Sequence, residues 1–307
     1  MSAYPPETAD EAINVVQTIL DADSGSVEAC LRFQPGRIAI LSGKLNSEPA
    51  VFRLALSDDV KATLESTWTE LQRIEQFMST GRYQAARGLA HFDADGLLVI
   101  SKANGESLLP MMSNSEPTQH VRDLAEWLWA YASPTLKNRP AHTMHWLKRA
   151  EKSCSKQPHP TLKTREQQIL EVLRHLSADL ETDKWRVAIS HGDYHPNNLI
   201  WDGQVLTGID IGGSAFLPIY KDMARSLVHL ARRKIFEHEA MRFGVNDALI
   251  RAYSGRFQLS EVEMTRALPF FIGFECLIKV ELPKAPAWRI SAAEKLYDGF
   301  LAEFGQT

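Results

Sequence analysis

The sequence VAISHGDYHPNNLIW occupies residues 187–201, and GIDIGG follows at residues 208–213. The apolar residues 187–189 predict a strand that leads into a polar run containing Asp193. Pro196 prevents this run from continuing as a helix, because proline lacks the backbone N–H that a helix needs. The segment therefore predicts a buried strand followed by an ordered polar loop.

Two further short strands are predicted after that loop, over residues 199–201 and 205–209, joined by a turn at Asp-Gly. The second strand ends on Asp210. Asp193, Asn198 and Asp210 are thus predicted at strand ends or in the connecting loop, where their side chains can converge.

These three residue types suit phosphoryl transfer. One carboxylate positions the acceptor hydroxyl and takes its proton, while an amide oxygen and a second carboxylate hold Mg²⁺ against the phosphate. Protein kinases place the metal-binding Asn five residues after the catalytic Asp, and Asn198 lies five residues after Asp193. Asp210 begins an Asp-x-Gly. Each motif alone is more often a simple turn, but their order and spacing together favour a kinase.

The first hundred residues predict an antiparallel sheet. The elements predicted there are a helix over 7–20, strands over 27–33, 37–41 and 50–56, a helix over 59–78, and strands over 87–92 and 97–101. They predict five strands with one helix inserted after the third.

Helical patterns dominate after Gly105. The elements predicted there are helices over 120–131, 141–153, 164–180, 222–232 and 245–253, and two more that begin with capping boxes at Ser260–x–x–Glu263 and Ser291–x–x–Glu294. We therefore predict an α+β fold with a nucleotide-binding lobe over 1–101 and a catalytic and acceptor-binding lobe over 102–307.

The chain resembles the aminoglycoside phosphotransferase and choline kinase superfamily. The matching motifs are HGDYHPNN at 191–198, ID at 209–210 and PIYKDMA at 218–224. The resemblance extends from about residue 27 to the last helix and is most specific in the C-terminal lobe. It implies a protein-kinase-like fold of two lobes, with a small antiparallel N-lobe and a larger, mainly helical C-lobe that carries a β-hairpin.

The resemblance also implies roles for the matching residues. Asp193 is the expected catalytic base or hydroxyl-orienting group, and Asn198 and Asp210 are the expected magnesium ligands. His191 is expected to brace the loop without touching substrate. Asp222 is expected to be a structural acceptor, although an ordinary helix N-cap is an equal alternative.

For the nucleotide, ATP or GTP, the resemblance implies that backbone groups at Ser101 and Ala103 pair with the purine. A glycine-rich loop between the first two strands is missing, since residues 34–37 offer only Gln-Pro-Gly-Arg.

Arg53, on the third strand, lies where the superfamily carries the cation that contacts the α- and β-phosphates. Arg and Lys are not interchangeable, but Arg can also bind phosphate. The expected acidic partner of Arg53 is Glu70, with Glu65 and Glu75 as alternatives.

Composition excludes several classes of protein. A net charge of −4 with scattered Lys and Arg predicts no nucleic-acid partner, and no apolar stretch is long enough to predict a membrane span. Residues 1–10 are polar and predict no signal peptide. The three cysteines, Cys30, Cys154 and Cys276, are widely spaced and favour the reducing cytoplasm. The oligomeric state has no signature in the sequence.

Two other functions compete with the kinase hypothesis. A hydrolase with Zn²⁺ or Mn²⁺ would use His191, Asp193, His195 and Asp210 as ligands. A pseudokinase would bind nucleotide without turnover, and the missing glycine-rich loop is its main support.

The predicted acceptor is a small hydroxylated molecule: an aminoglycoside, an amino alcohol, a sugar or an amino acid. Between residues 256 and 303 seven acids face six bases, a balance that argues against a pocket dedicated to polycationic antibiotics. The aromatic residues Phe270, Phe271, Phe274 and Trp288 either line an acceptor pocket or form helix core.

Overall fold

A computed structural model describes residues 5–20, 24–114 and 117–305, so residues 1–4 of the opening segment lie outside the described residues. The chain divides into two compact units. The first runs up to Glu106 and also contains Leu199–Ala215. The second contains Ser107–Asn198 and the chain from Phe216 onwards. The sequence hypothesis had instead assigned residues 199–215 to the second lobe.

The elements of the first unit are α1 (Ala9–Ile19), β1 (Gly25–Gln34), β2 (Ile38–Leu45), β3 (Glu48–Ala55), α2 (Asp58–Met78), β4 (Tyr83–Ala85), β5 (Gly88–Phe92), β6 (Leu97–Ser101), β10 (Leu199–Trp201) and β11 (Leu206–Gly208). Five of the strands form an antiparallel sheet in the order β1-β2-β3-β6-β5. The five-stranded sheet with a helix inserted after its third strand was predicted correctly.

The β2–β3 hairpin aligns the strand that carries Arg53. Asn46 and Ser47 form its two-residue loop, and both have positive φ, 49° and 68°. Two-residue hairpin loops favour this left-handed backbone because it matches the twist of the strands. The hairpin pairs Arg53 with Ile40, and the alternation along β3 buries Phe52 and Leu54.

A second sheet explains why residues 199–215 belong to the first unit. β10 pairs with β11 in a hairpin, and β11 pairs in parallel with β4, aligning Leu206 with Tyr83 and Gly208 with Ala85. Glu106 begins a two-residue strand β7 (Glu106–Ser107) at the edge of this sheet. The predicted hairpin is present, whereas β4 was not predicted.

The elements of the second unit are α3 (Leu108–Asn114), α4 (Pro117–Ala132), β8 (Lys137–Pro140), α5 (Met144–Cys154), α6 (Pro160–Leu180), β9 (Lys184–Ile189), β12 (Phe216–Pro218), α7 (Ile219–Ala231), β13 (Met241–Arg242), β14 (Val245–Asn246), α8 (Asp247–Phe257), α9 (Leu268–Ile278) and α10 (Ala287–Ala302). Strands β12, β9 and β8 form an antiparallel sheet.

Helix α9 is the core of the second unit. Every residue from Leu268 to Leu277 is buried, which explains why the helix is apolar on all sides except at Glu275. Its aromatic residues Phe270, Phe271 and Phe274 are fully buried, so the structure favours helix core over a pocket lining. Trp288, in contrast, is 53% exposed at the start of α10.

One of the two predicted capping boxes is present. Ser260 and Glu263 exchange hydrogen bonds between their side chains and backbone N–H groups, at 2.7 and 3.3 Å. The second box was wrong, because α10 begins at Ala287 and Ser291 lies in its second turn. The helix begins five residues before the start that this box predicts, with Pro286 at its N-cap. None of the described helices is long and apolar enough to cross a membrane.

Candidate active site

The loop after β9 is held by one buried carboxylate. Asp222, in the first turn of α7, accepts hydrogen bonds from the Ser190 hydroxyl at 2.8 Å, from the His191 N–H at 2.8 Å and from the Gly192 N–H at 3.2 Å. Gly192 has a φ of +86°, a conformation that glycine adopts without steric cost. Helix α7 therefore fixes the geometry of this loop through the Asp222 carboxylate.

His191 is fully buried among aromatic rings. Its ring makes edge contacts with Trp127 and Tyr194, with centroids 5.7 and 5.8 Å apart, and a tilted contact with Tyr131. The Tyr194 hydroxyl donates to the Leu124 carbonyl at 2.6 Å, which ties the loop to α4. The ring contacts of His191 and the hydrogen bond of Tyr194 thus anchor the loop on both sides of Asp193.

Asp193 is the half-exposed carboxylate of this loop, and it is bound by a buried arginine. The Arg225 Nε lies 2.7 Å and its Nη2 lies 2.6 Å from the same oxygen, Oδ1, while the His195 Nε2 lies 3.4 Å from Oδ2. Burial raises the pKa of Asp193, but the hydrogen bond with His195 and the charge of Arg225 outweigh it and lower the pKa well below its usual range. Asp193 is therefore a permanent carboxylate at any ordinary pH.

Asn198 is folded back onto the start of the same loop. Its side-chain amide donates to the Asp193 carbonyl at 3.0 Å, and its backbone N–H donates to the His195 carbonyl at 2.9 Å. A proline-initiated 3₁₀ turn over Pro196–Asn198 makes this return possible. The five residues from Asp193 to Asn198 thus span one closed loop.

A stacked pair of histidines lies behind Asp193. The rings of His195 and His229 are 4.0 Å apart between centroids and nearly parallel, at 19°. Both side chains are buried. Burial, together with the neighbouring His195, lowers the pKa of His229 to about 2, so His229 is neutral under all working conditions.

Further charged residues support the loop from α7 and α9, and sequence reasoning did not find them. The Lys221 ammonium donates to the Gly192 carbonyl at 3.3 Å and lies 3.7 Å from Glu275, which is fully buried on α9. Arg225 lies 4.0 Å from the other oxygen of Glu275. Burial raises the pKa of Glu275, and the two cations act against that rise. In the sequence, Arg225 lies three residues after the predicted Asp222. That spacing was the only sign that Arg225 could belong to the site.

In the first unit, Arg53 and Asp210 form an ion pair. The guanidinium of Arg53 lies 2.7 Å from the Asp210 carboxylate, which is 49% exposed. Asp210 has a φ of +56°, a left-handed conformation that is uncommon outside glycine and tends to occur at functional sites. The predicted phosphate-binding cation and a predicted metal ligand therefore neutralise each other here.

Glu70 bonds to a neighbour on its own helix. Its buried carboxylate accepts two hydrogen bonds from Arg73, at 2.9 and 2.6 Å. The bond of Arg53 runs to Asp210. The predicted pairing of Arg53 with Glu70 stays a prediction.

At the predicted hinge, Ser101 is already part of the sheet. Its N–H donates to the Arg87 carbonyl and its hydroxyl accepts from the Arg87 N–H, at 2.9 and 2.8 Å. Ala103 follows the end of β6 in a segment without regular structure. The N–H and the hydroxyl of Ser101 are thus engaged within the sheet, and the purine contact that the resemblance implies at Ser101 and Ala103 stays a prediction.

The hydrolase hypothesis receives no support from the side-chain arrangement. Within residues 5–20, 24–114 and 117–305, no group of three or more His, Cys, Asp or Glu side chains is arranged to hold a metal ion. His195 points to Asp193 and stacks on His229, and His191 is enclosed by aromatic rings.

Comparison with known proteins adds three kinds of finding. The family described as "Phosphotransferase enzyme family" matches residues 42–257. No curated protein sequence matches the chain. Among solved structures, the chain is similar to aminoglycoside phosphotransferase APH(4)-Ia, with 16% identity, a TM-score of 0.63 and coverage of 98% of this chain and 100% of that one.

Two other similar structures are kinases of small molecules. A glucosamine kinase, solved with glucosamine, ADP and inorganic phosphate, has 12% identity, a TM-score of 0.56 and coverage of 96% and 84%. An amicoumacin kinase, solved with AMP-PNP and Ca²⁺, has 11% identity, a TM-score of 0.58 and coverage of 96% and 94%. These findings confirm the predicted fold class and the predicted superfamily.

Proposed function

The chain belongs to the phosphotransferase enzyme family, and we propose that it transfers the γ-phosphoryl group of ATP or GTP to a hydroxyl of a small molecule. The observation that carries the proposal is the Asp193 loop. It presents a carboxylate that is ionised, half-exposed and fixed by Arg225, with Asn198 closing the same loop. A phosphotransferase needs such a group to orient the acceptor hydroxyl.

Asp193 acts on the hydroxyl chiefly by orientation. Its low pKa makes it a weak base, so it accepts a hydrogen bond from the acceptor hydroxyl and takes up the proton only as the new P–O bond forms. A loose transition state for phosphoryl transfer demands little base strength and much positioning. Arg225 holds the carboxylate in place and is therefore a positioning residue.

The oxygen donors at Asn198 and Asp210 fit magnesium. An amide oxygen and an exposed carboxylate are hard ligands, and Mg²⁺ takes the rest of its shell from phosphate and water. We assign Asn198 and Asp210 as its protein ligands. When bound, the metal neutralises the charge of the triphosphate.

The ion pair between Arg53 and Asp210 fits a nucleotide-free state. Both partners have a stronger alternative ligand in a metal-bound triphosphate, Arg53 through the phosphate oxygens and Asp210 through the cation. Since the Asp210 side chain is half-exposed, exchanging its partner costs little desolvation. We propose that nucleotide binding separates this pair.

We place the purine against the segment after β6, with the backbone of Ala103 as a proposed hydrogen-bonding partner. The thiols of Cys30, Cys154 and Cys276 are free, which fits the cytoplasm as the location that we propose for this kinase.

The test is thermal unfolding of the metal-stripped protein with ATP, GTP or a non-hydrolysable analogue, each with and without Mg²⁺. A ligand at about 100 times its dissociation constant adds roughly 2.7 kcal/mol, or several degrees. We expect a magnesium-dependent shift with at least one nucleotide, followed by ADP release in a screen of hydroxylated acceptors. Failure of every nucleotide to shift the transition would refute the proposal, and a shift without any turnover would select the pseudokinase.

A further inference from the structure

His195 is a second group that contacts the carboxylate of Asp193. Its Nε2 lies 3.4 Å from Oδ2 of Asp193, close enough for a long hydrogen bond. Contacts between catalytic groups are often long in the absence of substrate and shorten when the substrate binds. Since an ionised carboxylate only accepts hydrogen bonds, we assign the imidazole hydrogen to Nε2.

The His195 ring is held in place on several sides. It is buried and stacks on His229, with the ring centroids 4.0 Å apart and an angle of 19° between the planes. Its carbonyl accepts the Asn198 N–H at 2.9 Å, and the following Pro196 restricts its backbone. Its Nδ1 is buried and has no hydrogen-bond partner among the described residues. The ring is therefore fixed with its Nε2 beside Asp193.

The Asp193 carboxylate has few free positions for a further hydrogen bond. An ionised carboxylate has about four such positions, two on each oxygen. On Oδ1, Arg225 fills both, with Nε at 2.7 Å and Nη2 at 2.6 Å. On Oδ2, His195 fills one. One position on Oδ2 remains, and half of the Asp193 side chain is exposed.

We propose that His195 is a positioning residue that directs the acceptor hydroxyl to this one remaining position on Oδ2. The inference rests on the proposed kinase function and adds the atom of Asp193 that receives the hydroxyl. Arg225 and His195 each hold one oxygen, so the carboxylate cannot rotate without losing both contacts. As the hydroxyl oxygen bonds to the γ-phosphorus and the bond to the nucleoside diphosphate breaks, its proton passes to Oδ2. Such fixed orientation lowers the barrier because the reacting groups are already in place.

The test separates the N–H of His195 from its ring. His195→Phe keeps a ring against His229 and removes the N–H, whereas His195→Gln keeps an N–H donor and removes the ring. Turnover is measured as ADP release with saturating magnesium and ATP. The acceptors are ethanolamine, L-serine, D-glucose and kanamycin, with water alone as the fifth. Nucleotide binding is measured by the KM for ATP and by thermal shift.

The rate and the nucleotide affinity should respond differently. With the fastest acceptor, kcat of His195→Phe should fall about tenfold to a hundredfold, while the KM for ATP and the magnesium-dependent thermal shift stay as in the wild type. His195→Gln should be at least about threefold faster than His195→Phe, because a donor is restored. His195→Leu also lacks the N–H and takes the place of His195→Phe if the phenyl ring prevents folding. The matched control His175→Phe changes an exposed histidine on α6 and should keep the wild-type rate.

A double-mutant cycle shows whether His195 acts through Asp193. In an Asp193→Asn background, His195→Phe should lower kcat by less than about threefold further, because the carboxylate that it positions is already lost. A general structural role of His195 would instead lower kcat by the same factor in both backgrounds.

The outcomes keep this inference apart from the proposed function. If the wild type turns over and His195→Phe equals it in kcat, the inference is overturned and the kinase proposal stands. The same holds if the two substitutions multiply fully in the cycle, or if His195→Gln is as slow as His195→Phe. If the wild type releases no ADP with any of the five acceptors, the kinase proposal itself fails and the inference fails with it.

Discussion

Asp193 and Asp210 are two carboxylates of one proposed reaction, and they are held in opposite ways. Asp193 is bound by Arg225, a buried residue of α7 that also lies 4.0 Å from the buried Glu275. Asp210 lies in an exposed turn with a positive φ and has the ion pair with Arg53 as its support. The two side chains are nearly equally exposed, at 50% and 49%.

The difference indicates that Asp193 keeps its partner throughout the proposed reaction, whereas Asp210 exchanges its partner for the metal. A carboxylate that orients a hydroxyl must not move, and a charge pair with a buried arginine is hard to break because it would leave the arginine unpaired. A metal ligand must release its partner when the metal arrives. The Arg53–Asp210 pair is joined by one contact and its carboxylate is half-exposed, so it should be closer to the about 0–1 kcal/mol of a surface pair than the two-point contact of Arg225 with Asp193. Substitutions at four positions of the chain test this contrast.

The largest expected effect is that of Asp193→Asn. The amide cannot take the proton of the hydroxyl, so kcat should fall about 10²–10⁴-fold, while the magnesium-dependent nucleotide shift should remain. Steady-state ADP release and thermal unfolding measure the two quantities. Asp179→Asn, an exposed change on α6, is the control and should leave both unchanged. Turnover close to wild type in Asp193→Asn would remove the catalytic assignment.

Asp210→Ala should affect nucleotide binding and spare the fold. Loss of the metal ligand should remove the magnesium-dependent part of the ATP stabilisation, about 2.7 kcal/mol at 100 times the dissociation constant. The unliganded stability should fall by about 1 kcal/mol, because the lost ion pair is half-exposed and Ala is less suited than Asp to the positive φ of this position. Asp93→Ala, in an exposed turn of the same unit, is the matched control. If magnesium still strengthens ATP binding in Asp210→Ala, the metal role is wrong.

Arg225→Gln should change the pH dependence as well as the rate. Asp193 has a lowered pKa and is ionised at all working pH values. In the wild type, the acidic limb of the pH profile of kcat/KM should therefore lie below the usual aspartate pKa of about 3.9. Without Arg225 the pKa rises, and the acidic limb of kcat/KM should move up by about one to three pH units. The maximal rate should fall by about a hundredfold at most.

A conservative variant separates charge from packing at this position. Arg225→Lys keeps the positive charge, so the acidic limb should stay low even if kcat falls because the two-point contact is lost. If Arg225→Gln lowers kcat but does not shift the acidic limb of the kcat/KM profile, Arg225 has only a structural role.

The sequence was sufficient for the elements whose patterns are local. The strand-like runs of the first hundred residues predicted the five-stranded sheet, and the spacing of Asp193 and Asn198 predicted a kinase-like pair; that these two residues close one loop is a finding of the structure. Strand β4 was missed because it has only three residues and is paired with β11, far along the chain. A three-residue strand carries too little pattern to be read locally.

The partners of the site residues were harder to predict than the residues themselves. Arg225 lies 32 residues after Asp193, and only the packing of α7 beneath the loop brings the two side chains together. Glu275 is a charged residue in an otherwise apolar helix, a mismatch visible in the sequence but without a named partner. Arg53 was expected to pair with Glu70, yet its bond runs to Asp210, since the hairpin of β10 and β11 lies in the same unit.

The smallest expected effect concerns His229, one of the two stacked, buried histidines beside Asp193. Burial and the neighbouring His195 lower the pKa of His229 to about 2, while an unfolded histidine has a pKa near 6.5. Below about pH 6.5 the unfolded chain therefore binds a proton that the folded protein does not. The stabilising effect of neutral His229 is complete above that pH and falls as the pH drops, by up to about 1.4 kcal/mol per pH unit.

His229→Phe should remove this slope, because phenylalanine keeps a ring against His195 but binds no proton. The free energy of unfolding in urea, measured from pH 7 to pH 4.5, should fall less steeply in the variant than in the wild type. The control His238→Phe changes a histidine that is 91% exposed and should keep the wild-type slope. Equal slopes in all three proteins would mean that His229 is protonated in the folded state. The support behind Asp193 would then be more open to water than its burial implies.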